Sequence, residues 1–404
     1  MNRIPLLLLL LTSSLVQSDA SDCPSLPASR GCFCRIQDKV QRVDFTCESV
    51  SLQDLLTSTK TVADTQQVVW HLKYRYVSIG HFEKSLLGSL RANNFIAFNC
   101  SITSIDPDAF SGLTDVLESL DLGLNKLERV PTAALEGLVK LDSLDLGNNR
   151  IESLHAGAFK GLVSLRSLSL LGNRIKIVDD LAFKGSGGNL AHVNLVNNEL
   201  TSVPSRSLRH LSGLQALLLH ENKITNLVQE EFAGMGEDLE ELGLSLNQLE
   251  EIPERAFAKL KMLNSLDLDS NRIRYIHPKA FKGIERSLEW LKLGDNQLSA
   301  IPAEPLRRLE KLMDLNLRRN RIDKILKDDF KDYGSTLQFI YLQENRIHTI
   351  EMNALSELDS LGWLYLSFNQ LSVVSNETFQ SVLDTLQAID LSGEYLNSFL
   401  TVTL

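Results

Sequence analysis

Residues 140–151 read KLDSLDLGNNRI, and residues 287–298 read SLEWLKLGDNQL. Laid over one another, Leu141 meets Leu288, Leu144 meets Leu291, Leu146 meets Leu293, Asn149 meets Asn296 and Ile151 meets Leu298. Between these fixed positions Ser143 becomes Trp290 and Asp145 becomes Lys292. The shared template is L-x-x-L-x-L-x-x-N-x-L, and sliding it along the chain finds it again and again. Its asparagine falls at 125, 149, 173, 198, 222, 247, 271, 296, 320, 345 and 369, always 24 or 25 residues apart. Cys100 fills the same slot before that run and Glu394 after it, which gives thirteen repeats over residues 92–396.

The physics of the template predicts the architecture. L-x-L alternates, so in a strand both leucines point to one side and the x residues to the other. No single coil can bury its leucines, so neighbouring coils must stack into a continuous core with their strands in a parallel sheet. Phe110, Phe159, Phe183, Phe232, Phe257, Phe281, Phe330 and Phe379 recur at the far side of the coil and are expected to form a buried spine. The asparagine, both donor and acceptor, is expected to satisfy backbone groups where the chain turns out of the strand. Cys100 in that column reads as a small buried thiol.

The pattern resembles the extracellular leucine-rich-repeat family. The resemblance implies a right-handed, curved α/β solenoid with a parallel sheet on its concave face. Ahead of the repeats stand Cys23, Cys32, Cys34 and Cys47, which read as a disulfide-bonded unit with zinc coordination as the competing reading. They resemble the family's amino-terminal cap, which implies the pairs Cys23–Cys34 and Cys32–Cys47. The organisation expected is a signal peptide over 1–20, a cysteine-rich cap over 21–50, a degenerate first repeat over 51–91, the repeats, and a tail over 397–404 covering the open end. The first residues, MNRIPLLLLLLTSSLVQSDA, have the positive start, short apolar run and small residues of a secretory leader. A membrane anchor is the competing reading, but a span needs about 20 apolar residues.

A net charge of −10 argues against a nucleic-acid or anionic-membrane partner. No pair of the eight histidines has metal-ligand spacing, and His192 and His220 read as solvated concave residues near Glu221 and Glu241. GSGGNL, residues 185–190, precedes a strand, whereas a phosphate cradle follows one. The chain therefore reads as no enzyme, with no cofactor and no metal. Two glycosylation sequons are present, at Asn99 and Asn376.

The x positions decide function. Early coils offer Ser119, Asp121, Ser143, Asp145, Ser167 and Ser169; middle ones add an acidic zone of Glu241, Asp267 and Asp269. The character then changes to Trp290 and Lys292, followed by Asp314, Asn316 and Arg318, then Phe339 and Tyr341, then Trp363 and Tyr365. Trp290 and Trp363 are three strand steps apart, roughly 15 Å. Aromatic residues with arginine nearby are the types enriched in interface hot spots. The expectation is a secreted protein whose concave face binds an extracellular protein ligand or receptor in adhesion, signalling or innate defence. The alternatives are a non-catalytic subunit of a secreted enzyme complex such as a luciferase-type assembly, and a homodimerising matrix protein.

Overall fold

The computed structural model describes residues 23–26, 31–37, 42–235, 237–374 and 376–394. The leader segment 1–20 and the tail 397–404 lie outside the described residues. Sixteen strands form one sheet that runs the length of the solenoid. It opens with an antiparallel pair, Cys32–Gln37 against Arg42–Glu48. Every later strand pairs in parallel with the one before it. Cys23 is bonded to Cys34 and Cys32 to Cys47, tying the first strand into this end of the sheet.

Fourteen coils follow, each named here by its strand in that sheet. Coils 1 and 2 carry the long strands Val68–Arg75 and Arg91–Phe98. Coils 3 to 8 carry Ser119–Asp121, Ser143–Asp145, Ser167–Ser169, His192–Asn194, Ala216–Leu218 and Glu241–Gly243. Coils 9 to 14 carry Ser265–Asp267, Trp290–Lys292, Asp314–Asn316, Phe339–Tyr341, Trp363–Tyr365 and Ala388–Asp390.

The leucines of the template are the core. In coil 4, Leu141, Leu144, Leu146, Ile151 and Leu154 are all buried. Each stabilises the coil by about 1.5–3 kcal/mol on removal from water. The phenylalanine spine is buried too, with Phe159 stacked on Phe183 at 5.5 Å and Phe257 on Phe281 at 6.1 Å.

The asparagines form a hydrogen-bonded ladder. Asn149 donates through Nδ2 to Leu122 O of the preceding coil at 2.9 Å and to its own Leu146 O at 3.0 Å. Its Oδ1 accepts Leu127 N–H of the preceding coil at 3.0 Å. Asn345 repeats the arrangement, donating to Leu317 O and Leu342 O and accepting Ile322 N–H. At the end of the run Glu394 takes the accepting half alone, receiving Asn369 N–H at 2.6 Å and Leu371 N–H at 2.7 Å.

The residue just before the ladder is held in left-handed backbone conformation, as at Leu124, Asn148, Leu246 and Phe368, with φ of 54°, 53°, 55° and 56°. Gly172 meets the same demand without a Cβ. For leucine and phenylalanine that conformation costs about 1–2 kcal/mol, which the stacked coils on either side impose.

One element was not foreseen. Within the segment expected to be a degenerate repeat lies a helix, Leu52–Ala63. Ser51 caps it, its Oγ accepting Asp54 N–H at 3.1 Å. Leu55, Thr59 and Val62 repeat on one face and are buried. Thr59 shares a hydrogen bond of 2.8 Å with the hydroxyl of buried Tyr74 in coil 1, joining helix to sheet.

Candidate recognition surface

Pleating places the first and third residues of each three-residue strand on the concave face while the middle one is buried. Two columns result. Down the first run Ser119, Ser143, Ser167, His192, Ala216, Glu241, Ser265, Trp290, Asp314, Phe339, Trp363 and Ala388, each beside the next. The second runs from Asp121 through Asp267, Lys292, Asn316, Tyr341 and Tyr365 to Asp390.

The second column has a structural task that its sequence did not announce. Asp121 accepts Gly123 N–H at 2.7 Å, and Asp145 accepts Gly147 N–H at 2.6 Å. Asn194, Asp267, Asn316 and Asp390 do the same for the residue two positions on, at 3.0, 3.0, 3.1 and 3.0 Å. These are Asx turns that satisfy the backbone where it leaves the strand. The signal was present, an Asp or Asn two residues before an exposed turn.

Six coils depart from that pattern: Ser169, Leu218, Gly243 and Lys292 stand in coils 5, 7, 8 and 10, and coils 12 and 13 carry rings. Tyr341 and Tyr365 occupy the column instead and stack with centroids 4.9 Å apart and planes 2° from parallel. Beside them Phe339 stacks on Trp363 at 4.5 Å and 7°. All four rings are partly exposed. Trp290 is 41% exposed but stands apart: Asp314 of coil 11 lies between it and Phe339. The aromatic residues are therefore two stacked pairs and one outlying indole, not a continuous patch.

Charged groups fill the ground around coils 9 to 11. The Lys292 ammonium lies 3.3 Å from Asp267, and Arg318 reaches Asp295 at 3.6 Å and Asp269 at 3.9 Å. Asp269 is not the solvated acid its sequence position suggests. It is buried and accepts Gly294 N–H at 2.6 Å and Asn316 Nδ2–H at 3.1 Å. Burial, aided by neighbouring Asp267, pushes its carboxyl up to about 6. Burial also raises Asp314, which accepts the Tyr341 hydroxyl. His220 is half-buried over Gly243, whose missing side chain leaves room for the ring. Its Nδ1 accepts Ser245 N–H at 3.2 Å, and burial holds its pKa below the usual imidazole value. Among the described residues no group of His, Cys, Asp and Glu is arranged to hold a metal ion.

A family model described as leucine rich repeat matches residues 96–151, 115–175, 140–186, 188–237, 237–298, 286–335 and 310–371. The chain belongs to the leucine-rich-repeat family.

Solved structures agree with that fold. A chain of the TLR13–ssRNA13 complex superposes with a TM-score of 0.68 at 23% identity, over 87% of this chain and 58% of that one. A chain of the Drosophila Toll–Spatzle complex gives 0.68 at 18%, over 87% and 50%. A chain of the LRIM1/APL1C complex gives 0.57 at 21%, over 89% and 59%. This chain thus spans about half to three fifths of the length of these neighbours. No curated protein matches the sequence.

In this leucine-rich-repeat frame Cys100 is fully buried, its Sγ donating to Tyr74 O at 3.3 Å and Phe98 O at 3.4 Å. Burial pushes the thiol up to about 11, so it is not a reactive thiolate. Asn99 beside it is exposed, in a left-handed turn with φ of 52°. Asn376 opens a short 3-10 turn, Asn376–Thr378, and its side chain lies outside the described atoms. No helix among the described residues is long and apolar enough to cross a membrane.

Proposed function

We propose that this leucine-rich-repeat protein is a secreted, non-enzymatic recognition module. It binds an extracellular protein through the concave face of coils 10 to 13, using Trp290, Lys292, Arg318, Phe339, Tyr341, Trp363 and Tyr365. The observation that carries this reading is the pair of ring stacks on coils 12 and 13. Six other coils keep an Asp or Asn in that column to satisfy their own turn, and coils 5, 7, 8 and 10 carry Ser169, Leu218, Gly243 and Lys292 there. Coils 12 and 13 give up that bond and present stacked rings instead. Half of the column does without that bond, so what sets coils 12 and 13 apart is the pair of partly exposed ring stacks, a surface of the kind that partners bury.

Secretion is supported by the leader-like first residues and by the amino-terminal disulfides, which persist in oxidising compartments. Asn99 and Asn376 are the proposed glycan positions. One structural neighbour is complexed with ssRNA13, but a chain of net charge −10 repels phosphates, so a protein partner suits this surface better. The Toll–Spatzle and LRIM1/APL1C complexes show the fold assembled with other proteins.

The test is to immobilise the secreted protein beside a Trp363→Ala, Tyr341→Ala variant and identify what each captures from the source organism's extracellular fluid. A partner held by the wild type should weaken by about 30-fold or more in the variant, as for a hot spot worth 2 kcal/mol. Circular dichroism and the melting midpoint should stay nearly unchanged. A variant that unfolds would show the rings to be core, and capture of the chain's own copies alone would make the face a homodimer interface.

A further inference from the structure

The isolation of Trp290 deepens that reading, and rests on it. Trp290, Asp314 and Phe339 are successive residues of one concave column, on three adjacent strands. Neighbouring strands stand about 4.8 Å apart, so the two aromatic side chains are rooted about 10 Å from one another. Where ring-bearing strands adjoin, as at Phe339 and Trp363, the rings close to 4.5 Å and nothing fits between them. With one coil left out, the opening suits a single group in van der Waals contact with both rings, since such contact needs about 3.5–4 Å on each side. We infer that this slot receives one arginine or lysine side chain from a basic segment of the partner protein, with Trp290 and Phe339 as walls and Asp314 as floor.

Three observations favour a cation over an apolar or neutral polar occupant. The floor is a carboxylate; it accepts the Tyr341 hydroxyl, and a carboxylate offers about four lone-pair sites, so a donor-rich group suits the remainder. The walls are aromatic, and indole attracts cations better than any other side-chain ring. The chain already makes such a contact within itself, with Arg42 seated 3.5 Å from the Trp70 ring centroid. The resident cations nearby are paired with other carboxylates: Lys292 with Asp267, its charge also felt at Asp314, and Arg318 with Asp295 and Asp269. Counting Asp314, four carboxylates there face two cations, so the surplus is negative and steers a basic segment towards the slot. Arg319 leaves that balance unaltered because Glu344 matches it at 2.9 Å.

The chain has three tryptophans, so 5-fluorotryptophan labelling of the intact protein yields three assignable 19F signals. The probe is N-acetyl-arginine methylamide, with its uncharged citrulline counterpart as control. The arginine probe should move the Trp290 signal well beyond those of Trp70 and Trp363. Asp314→Asn, which keeps size and shape, should weaken that response about fivefold or more. Equal shifts at all three tryptophans, an equal response to citrulline, or indifference to Asp314→Asn overturns the slot. The captured partner separates this from the broader reading. One that Trp363→Ala releases and Asp314→Asn retains overturns the slot and leaves the surface standing. One that neither variant releases overturns both.

Discussion

Coils 3 to 5 and coils 12 to 13 have the same interior and opposite exteriors. Both bury a leucine or isoleucine at the centre of the strand and hang their turn on a ladder asparagine. On the concave side, coils 3 to 5 present serines and aspartates, and two of those aspartates serve the chain's own backbone. Coils 12 and 13 present four rings stacked in pairs. The interior is set by what each coil must offer the next; the concave columns answer to that demand only in part, and where they abandon it they become free for something else.

The comparison breaks most severely if the interiors prove unequal. Asn149→Ala and Asn345→Ala each leave buried backbone groups without partners, at about 1–3 kcal/mol per group. Each should cost about 4 kcal/mol, read from the urea midpoint, and the two losses should agree within about 1 kcal/mol. A gap of twice that would mean that the aromatic coils are held together differently.

The acidic boundary between the two regions gives a smaller effect with a sign. Asp269 titrates near 6 when folded against an ordinary 3.8. Between those values the folded chain holds more proton than the unfolded one, so this group's contribution to stability rises as pH falls from above 6 towards 4. The gain is at most about 3 kcal/mol. Melting midpoints from pH 7.5 to 4.5 should therefore rise more in the wild type than in Asp269→Asn, and parallel curves would refute it.

An exchange between the regions gives the smallest effect and the sharpest distinction. Asp145→Tyr loses the bond to Gly147 N–H and should cost about 1 kcal/mol. Tyr365→Asn loses a ring stack worth about 0.5–1.5 kcal/mol but can regain an Asx turn, so its midpoint should hardly move. If Tyr365→Asn destabilises as much as Asp145→Tyr, the tyrosine serves the fold and not a partner.

Much of this was legible because stacking repeats its demands. Leucine, asparagine and phenylalanine recur at a fixed step, and each repetition states the same burial or hydrogen-bond requirement. The helix Leu52–Ala63 was not, because it occurs once and its face mixes Thr59 and Ser58 with Leu55 and Val62. The concave residues were legible as a column but not in their roles. That Asp121 turns its carboxylate back to the chain was signalled only by its place two residues before a turn, and that Asp269 is buried depends on backbone placement that no pattern of residue types reveals. The break between Trp290 and Phe339 was legible, because Asp314 fills the intervening slot of the repeat, and the strand pairing sets it between them.

The ladder has a direction. Each asparagine reaches to the coil before it, so a coil's last backbone groups are met only when its successor is in place. A polypeptide emerging from the ribosome amino end first would settle one coil behind its growing point, each new asparagine locking the turn already made. Glu394 ends that sequence with an acceptor alone, receiving two amides from coil 13 without the Nδ2 donors that an asparagine brings. The structure is in this sense a one-way ratchet, in which order is handed forward along the chain and each step is made secure by the next.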